Sequence, residues 1–161
     1  MNCYIGIDPG LTGAIVALSE DGVLLLAELC PLFNGQPDPR GATEIIARLP
    51  RPFVVTIEQP IRVSRNGASD SGYRSLLASV RFWRAAIGAK HPVTMIVPRA
   101  WQGAMLTAVQ GATTKAKSIA WCRTFLPALD LRPGRCTTDQ DGLADAACLA
   151  EFGRRRFPRP L

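Results

Sequence analysis

Residues 3–8, CYIGID, make a short apolar run that ends on a carboxylate, and Pro9 and Gly10 break the run immediately afterwards. A charge at the end of a buried segment is costly unless something pairs with it. This feature constrains the opening of the fold. The Pro9-Gly10 pair is a turn signal, so LTGAIVALS (11–19) reads as a second strand running back beside the first. Glu20-Asp21-Gly22 marks another reversal, Asp-Gly being a favoured hairpin pair, and VLLLAEL (23–29) reads as the third strand. The chain therefore opens as an antiparallel meander with Asp8 at the end of its first strand.

The rest of the chain alternates. Residues 30–41, rich in Pro, Gly and Asn, read as a surface loop, and TEIIARL (43–49) as a short helix capped by Thr43. PFVVTIE (52–58) is a β-branched strand that ends on Glu58, and residues 62–72 form a polar loop. Residues 73–89 carry Leu76, Leu77, Val80, Trp83 and Ile87 at helical spacing. HPVTMIVP (91–98) predicts another strand, and residues 99–106, 114–126 and 141–156 predict helices, the second capped by Thr113 or Thr114. The fold class is α/β: a mixed five-stranded sheet, the meander plus two further strands, flanked by helices.

The 161 residues suit a single domain, 1–161, with a basic C-terminal tail at 154–161 expected to be flexible. No apolar run approaches the roughly 18 residues of a membrane span. No basic stretch precedes the first apolar residues, which argues against a signal peptide. The five cysteines form no Cys-x-x-Cys pair and predict reduced thiols in a cytoplasm. His91 is the only histidine, so neither a Ser-His-Asp triad nor a multi-histidine metal site has the residues it needs. The net charge is +6, and ten of the Lys and Arg residues lie between Ile61 and Arg123 against one acid, Asp70. Such a surface fits a polyanion partner, and solvated helix faces explain it equally well.

The acids are more pointed. Two strands end on Asp8 and Glu58, and the last helix carries Asp141 and Asp145 four apart, hence on one face. Singly, Asp8 starts a turn, Glu58 ends a strand, and Asp139 or Asp141 caps a helix. Asp145 sits among Leu143, Ala144, Ala146, Ala147 and Leu149, where such an excuse is weaker. If the two strands are neighbours and the helix crosses their ends, the four acids converge. Hard cations such as Mg²⁺ or Mn²⁺ then neutralise them. Two ions about 3.5–4 Å apart would suit phosphodiester hydrolysis, activating water and stabilising the leaving oxygen.

IGIDPG (5–10), IEQP (57–60), VPRAWQ (97–102), TTKAKSI (113–119) and DGLADAACLA (141–150) resemble, in order and spacing, the motifs of the RuvC-type Holliday-junction resolvases of the RNase H-like superfamily, chiefly their small phage and bacterial branch. The likeness runs from residue 3 to about 153. It implies an RNase H-like fold and a metal-dependent endonuclease, usually a homodimer, that nicks branched DNA such as four-way junctions in recombination and repair. It implies Asp8, Glu58, Asp141 and Asp145 as catalytic metal ligands, with Lys115 near the scissile phosphate and Lys117 beside it. Ile61 stands where relatives carry an apolar residue that probes the junction centre, and Arg62, Arg65 and Arg74 join it as DNA contacts. The chain departs from the pattern twice. Position 142, where relatives carry the first Asp or His of the helical pair, is Gly, which leaves Asp141 as fourth ligand and Asp139 in reserve. Gln102 stands where a Lys is common. Trp83, Trp101 and Trp121 are either core or base-stacking platforms. Two alternatives stay open: an RNase H acting on RNA–DNA hybrids, and a junction-binding protein that does not cleave. A sugar-kinase or actin-like ATPase needs two related domains, for which the chain is short.

Overall fold

The computed structural model describes residues 2–62 and 70–157. Its strands are β1 (Cys3–Asp8), β2 (Ala14–Ser19), β3 (Leu24–Leu29), β4 (Leu32–Phe33), β5 (Gln36–Pro37), β6 (Phe53–Glu58) and β7 (Val93–Ile96). The helices are α1 (Pro39–Ala47), α2 (Asp70–Ile87), α3 (Pro98–Leu106), α4 (Thr114–Phe125) and α5 (Asp141–Arg156). Five strands make one sheet in the order β3-β2-β1-β6-β7. The meander pairs antiparallel, while β1–β6 and β6–β7 pair parallel. This is the mixed sheet that the sequence predicts, with Asp8 and Glu58 ending adjacent strands at the same edge.

Alternation along the strands divides the core in two. Cys3, Ile5 and Ile7 of β1 and Phe53, Val55 and Ile57 of β6 pack with α1 and α2. The intervening residues face α5. Gly6 is obligatory there: a Cβ would lie 2.1 Å from the Ala146 carbonyl oxygen. The Thr56 hydroxyl reaches the Leu149 carbonyl oxygen at 2.9 Å. Asp8 and Glu58 share this face by the period of two. Ala144, Ala146, Ala147 and Ala150, all fully buried, let α5 lie close against the sheet, with α3 and α4 packed beside it.

Several boundaries differ from expectation. The second strand begins at Ala14 rather than residue 11, because a Gly10–Gly13 turn, closed by a 3.2 Å backbone bond, takes up residues 11–13. Residues 30–41 are not one loop. They hold the β4–β5 hairpin and the start of α1, where Asp38, not Thr43, is the cap and accepts from the Arg40 N–H. Thr43 instead donates to the Pro39 carbonyl within the helix. The fourth helical segment is capped by Thr113. α2 starts at Asp70, so residues 70–72 of the expected loop are helical and 63–69 lie outside the described residues, and β7 is shorter than 91–98. Trp83, Trp101 and Trp121 are all buried, so none is a base-stacking platform. The described cysteines are free thiols. Arg154, Arg155 and Arg156 form the last turn of α5, and residues 158–161 of the expected tail lie outside the described residues. No described helix is long and apolar enough to cross a membrane.

Candidate active site

Asp8 and Glu58 end neighbouring parallel strands, and the first turns of α5 bring Asp141 and Asp145 across them. The approach is close. A Cβ on Gly142 would meet the Thr12 carbonyl oxygen at 2.4 Å and an Asp8 carboxylate oxygen at 3.3 Å. Gly142 is therefore where α5 touches the turn that follows Asp8. A side chain at 142 has no room, so the acids that α5 brings to the strand ends are Asp141 and Asp145.

The acids feel one another. Burial, then the negative charges of Asp145, Glu58 and Asp141, hold the Asp8 carboxyl well above the ordinary carboxylate range, with Lys115 opposing. Burial raises the Asp145 carboxyl to about 6, Asp141 adding and a hydrogen bond with Ser118 opposing. Burial also raises Glu58, opposed by the Trp101 indole N–H, which donates to Glu58 Oε2 at 2.7 Å. The Lys115 ammonium pairs with Asp141, and this contact raises the lysine's own pKa. Asp8, Glu58, Asp141, Asp145 and Lys115 thus form one electrostatic unit, drawn from β1, β6, α5 and the first turn of α4. Sequence reasoning missed Trp101 as a Glu58 partner and Ser118 as an Asp145 partner. No signal in the sequence marks either contact, since both join residues far apart in the chain.

The donor set is all carboxylate oxygen, which suits a hard divalent cation. Asp145 Oδ1 is buried with no hydrogen-bond partner, an orphaned acceptor of the kind a cation satisfies. Among the described residues no three acidic, cysteine or histidine side chains form a ready-made ion cage. Asp141 and Glu58 are instead turned to Lys115 and Trp101.

Asp139 stands apart. Its carboxylate is held by Arg123 and Arg132, the latter at 2.6 Å, and it is not among the charges that act on Asp8. A residue so engaged is a poor reserve ligand. Ile61 is 51% exposed, three residues beyond Glu58, and Arg62 pairs with Asp70 at 2.8 Å. Arg74 lies 3.9 Å from the same carboxylate. Arg65 lies outside the described residues. Lys117 is half-buried, with its stem across Gly111.

The fold has counterparts among solved structures. One match is Thermus thermophilus RuvC in complex with a Holliday-junction substrate, at TM-score 0.62 and 20% identity, covering 100% of both chains. The fold is that of RuvC. A second T. thermophilus RuvC structure matches at TM-score 0.60 and 24% identity over 99% of each chain. The fowlpox virus resolvase, solved with Holliday-junction DNA, matches at TM-score 0.55 and 14% identity, covering 98% of this chain and 100% of that one. No family's sequence profile matches the chain, and neither does any curated protein. On the RuvC fold, Asp8, Glu58 and α5 occupy one strand-end crevice, where ligands of open α/β sheets generally bind.

Proposed function

We propose that the chain is a divalent-metal-dependent endonuclease that nicks branched DNA, chiefly four-way junctions. The observation that carries this reading is the convergence of Asp8, Glu58, Asp141 and Asp145 at one pair of strand ends, where burial raises Asp8, Glu58 and Asp145 and Lys115 pairs with Asp141, on a fold shared with resolvases solved on junction DNA. Those four carboxylates would hold Mg²⁺, with Mn²⁺ as a substitute and two ions per site. The ions would supply activation of water and stabilisation of the leaving 3′ oxygen. Lys115, 71% exposed at the side chain and reaching across to Asp141, is placed to bind the phosphate beside the cluster. Lys117, Arg62 and Arg74 extend the basic surface along the DNA, Arg65 joins them by its place in the sequence alone, and Ile61 presents an apolar side chain beside it. Two nicks in a symmetric four-way junction require two such sites, which a homodimer provides.

The test is cleavage of a four-way junction, a fork, a flap and an RNA–DNA hybrid side by side in Mg²⁺. Paired nicks in the junction are expected, with slower cleavage of the other substrates. Preferred cleavage of the hybrid would make the chain an RNase H, and tight junction binding with no cleavage in either metal would make it a binding protein.

A further inference from the structure

We propose that Trp101 is a positioning residue that fixes which oxygen Glu58 presents to a metal ion; the inference rests on the nuclease reading above. Trp101 is fully buried, in the core formed by α3, α4, α5 and one face of the sheet. Shape alone does not call for an indole at such a position, since Phe or Leu also fill cores. The indole N–H is donor-only, and leaving it unpaired when buried carries the desolvation penalty of an unmade hydrogen bond. Its partner is a side chain, Glu58 Oε2, at 2.7 Å.

The local fold explains the aim. Glu58 pairs with Ile96 at the last register of β6 and β7. The Gln59 N–H then donates to the Ile96 carbonyl at 2.8 Å, which ties the end of β6 to the end of β7. α3 follows after Val97, with Pro98 opening its first turn, so Trp101 comes one turn in, beside the carboxylate. One carboxylate oxygen is thereby anchored and the other is left for the crevice. A glutamate has three side-chain torsions, and without the anchor Asp8 and Asp145 would repel it through many rotamers. Anchoring from outside the ligand set is a general way in which proteins orient carboxylate ligands. Trp101 acts through Glu58 and touches neither metal nor DNA.

The experiment is a double-mutant cycle on the full chain, read by calorimetric titration with Mn²⁺ alone. Trp101→Phe keeps an aromatic core and deletes the donor. Replacement of Trp101 by benzothienylalanine, introduced site-specifically, keeps the bicyclic shape and replaces the N–H by sulfur, so the test survives if the Phe variant packs poorly. Melting curves establish that each variant is folded. The expected result is Mn²⁺ affinity reduced about tenfold or more in the wild-type background. The same change should have little further effect in a Glu58→Ala background, which has no acceptor left for the indole N–H to anchor. A purely structural tryptophan would give the same loss in both backgrounds, and affinity within twofold of wild type would also overturn the proposal. If the unmodified chain binds no Mn²⁺, the nuclease reading itself fails, and the positioning role with it. Binding by the unmodified chain with no coupling in the cycle refutes the positioning role alone.

Discussion

Helix α5 carries a buried acid, Glu151, towards its C-terminal end and a half-buried one, Asp145, towards its N-terminal end, and the two are treated in opposite ways. At the C-terminal end, Glu151 is 5% exposed and paired with Arg154 and Arg155, both at 2.6 Å. Burial pushes its carboxyl up, but the hydrogen bonds and charges of those arginines outweigh burial and bring it below the ordinary value. Near the N-terminal end, Asp145 has a buried oxygen with no partner, and its carboxyl is raised to about 6. Its neighbour Asp141 adds to the shift, and the Ser118 hydrogen bond and the Lys115 charge oppose it without cancelling it. A chain that can satisfy one buried carboxylate with two guanidinium groups, less than two turns along the same helix, leaves the other under-compensated. The difference teaches that the strain is local to the crevice at the ends of β1 and β6. Strongly perturbed acids concentrated in a cleft are the usual mark of a functional site.

The largest effect expected from breaking this contrast is at Asp8. Asp8→Asn removes a charge that Asp145, Glu58 and Asp141 all oppose. Junction nicking in Mg²⁺ should fall by roughly 10³-fold or more, as loss of a metal ligand requires. The same variant, free of metal at pH 7.5, should be more resistant to urea than the parent. Robust nicking by it would remove Asp8 from the chemistry.

The pH dependence of stability comes next. Asp145 has a folded pKa raised from 3.8 to about 6, so between those values the folded state binds more protons than the unfolded. Its share of stability is therefore present below pH 4 and is lost as pH rises through about 6. A shift of this size is worth on the order of 3 kcal/mol when fully expressed. Asp8 and Glu58, also raised, act in the same sense. Glu151 acts in the opposite sense: its folded pKa is lowered, so its contribution is present above 4.5 and is lost as pH falls through the folded value. In chelator, urea unfolding should therefore show less stability at pH 7.5 than at pH 5.5. Mg²⁺ should restore stability at pH 7.5, by about 2.7 kcal/mol at a hundredfold excess over its Kd. Equal stability at both pH values in chelator would show that the crevice acids are better compensated than their surroundings imply.

Glu151→Gln attacks the other end. It leaves Arg154, which also donates to the Glu20 carbonyl at 3.0 Å, without its carboxylate partner. Arg154 and Arg155 are partly exposed, so the loss should be about 1–3 kcal/mol rather than that of a fully buried broken pair. Nicking per folded molecule should be unchanged. A loss of activity without a loss of stability would mean that this end of α5 also serves the reaction.

The sheet was legible because its signals are short-range. Each strand of the meander carries an apolar run and a Gly-bearing turn, and β6 shows its β-branched pattern. The α5 face was legible because Asp141 and Asp145 stand four apart and Leu143, Ala144, Ala146, Ala147 and Leu149 surround Asp145 with apolar or small neighbours, all five of them buried. The convergence of Asp8, Glu58, Asp141 and Asp145 followed once β1 and β6 were taken as neighbours, as they are. What stayed hidden depends on non-local contact. The Trp101–Glu58 bond joins residues 43 apart, and nothing in VPRAWQ distinguishes a donor aimed at a carboxylate from a stacking platform. The role of Gly142 as a contact with Thr12 was equally invisible, and it looked like a missing ligand. The β4–β5 hairpin escaped because two-residue strands carry almost no pattern of their own.

Asp139 supplies the smallest and sharpest test, because it is an acid beside the crevice that is compensated in the manner of Glu151. It precedes α5 by two residues, and its side chain, 15% exposed, is shared by Arg123 from α4 and Arg132 from the loop before it. Both guanidinium groups are more than half exposed, so water screens the pairs and recovers much of what is lost when the charge goes. Asp139→Asn should therefore cost about 1 kcal/mol or less, and the amide oxygen can still accept from one arginine. Nicking should stay within twofold of the parent, whereas Asp141→Asn should lower it by roughly 10²-fold or more, as removal of a metal ligand does. The pair of variants, assayed on one junction at one Mg²⁺ concentration, decides which acid completes the site. Loss of activity at 139 with retention at 141 would reverse the assignment, and it would mean that Arg123 and Arg132 release Asp139 when metal and DNA arrive.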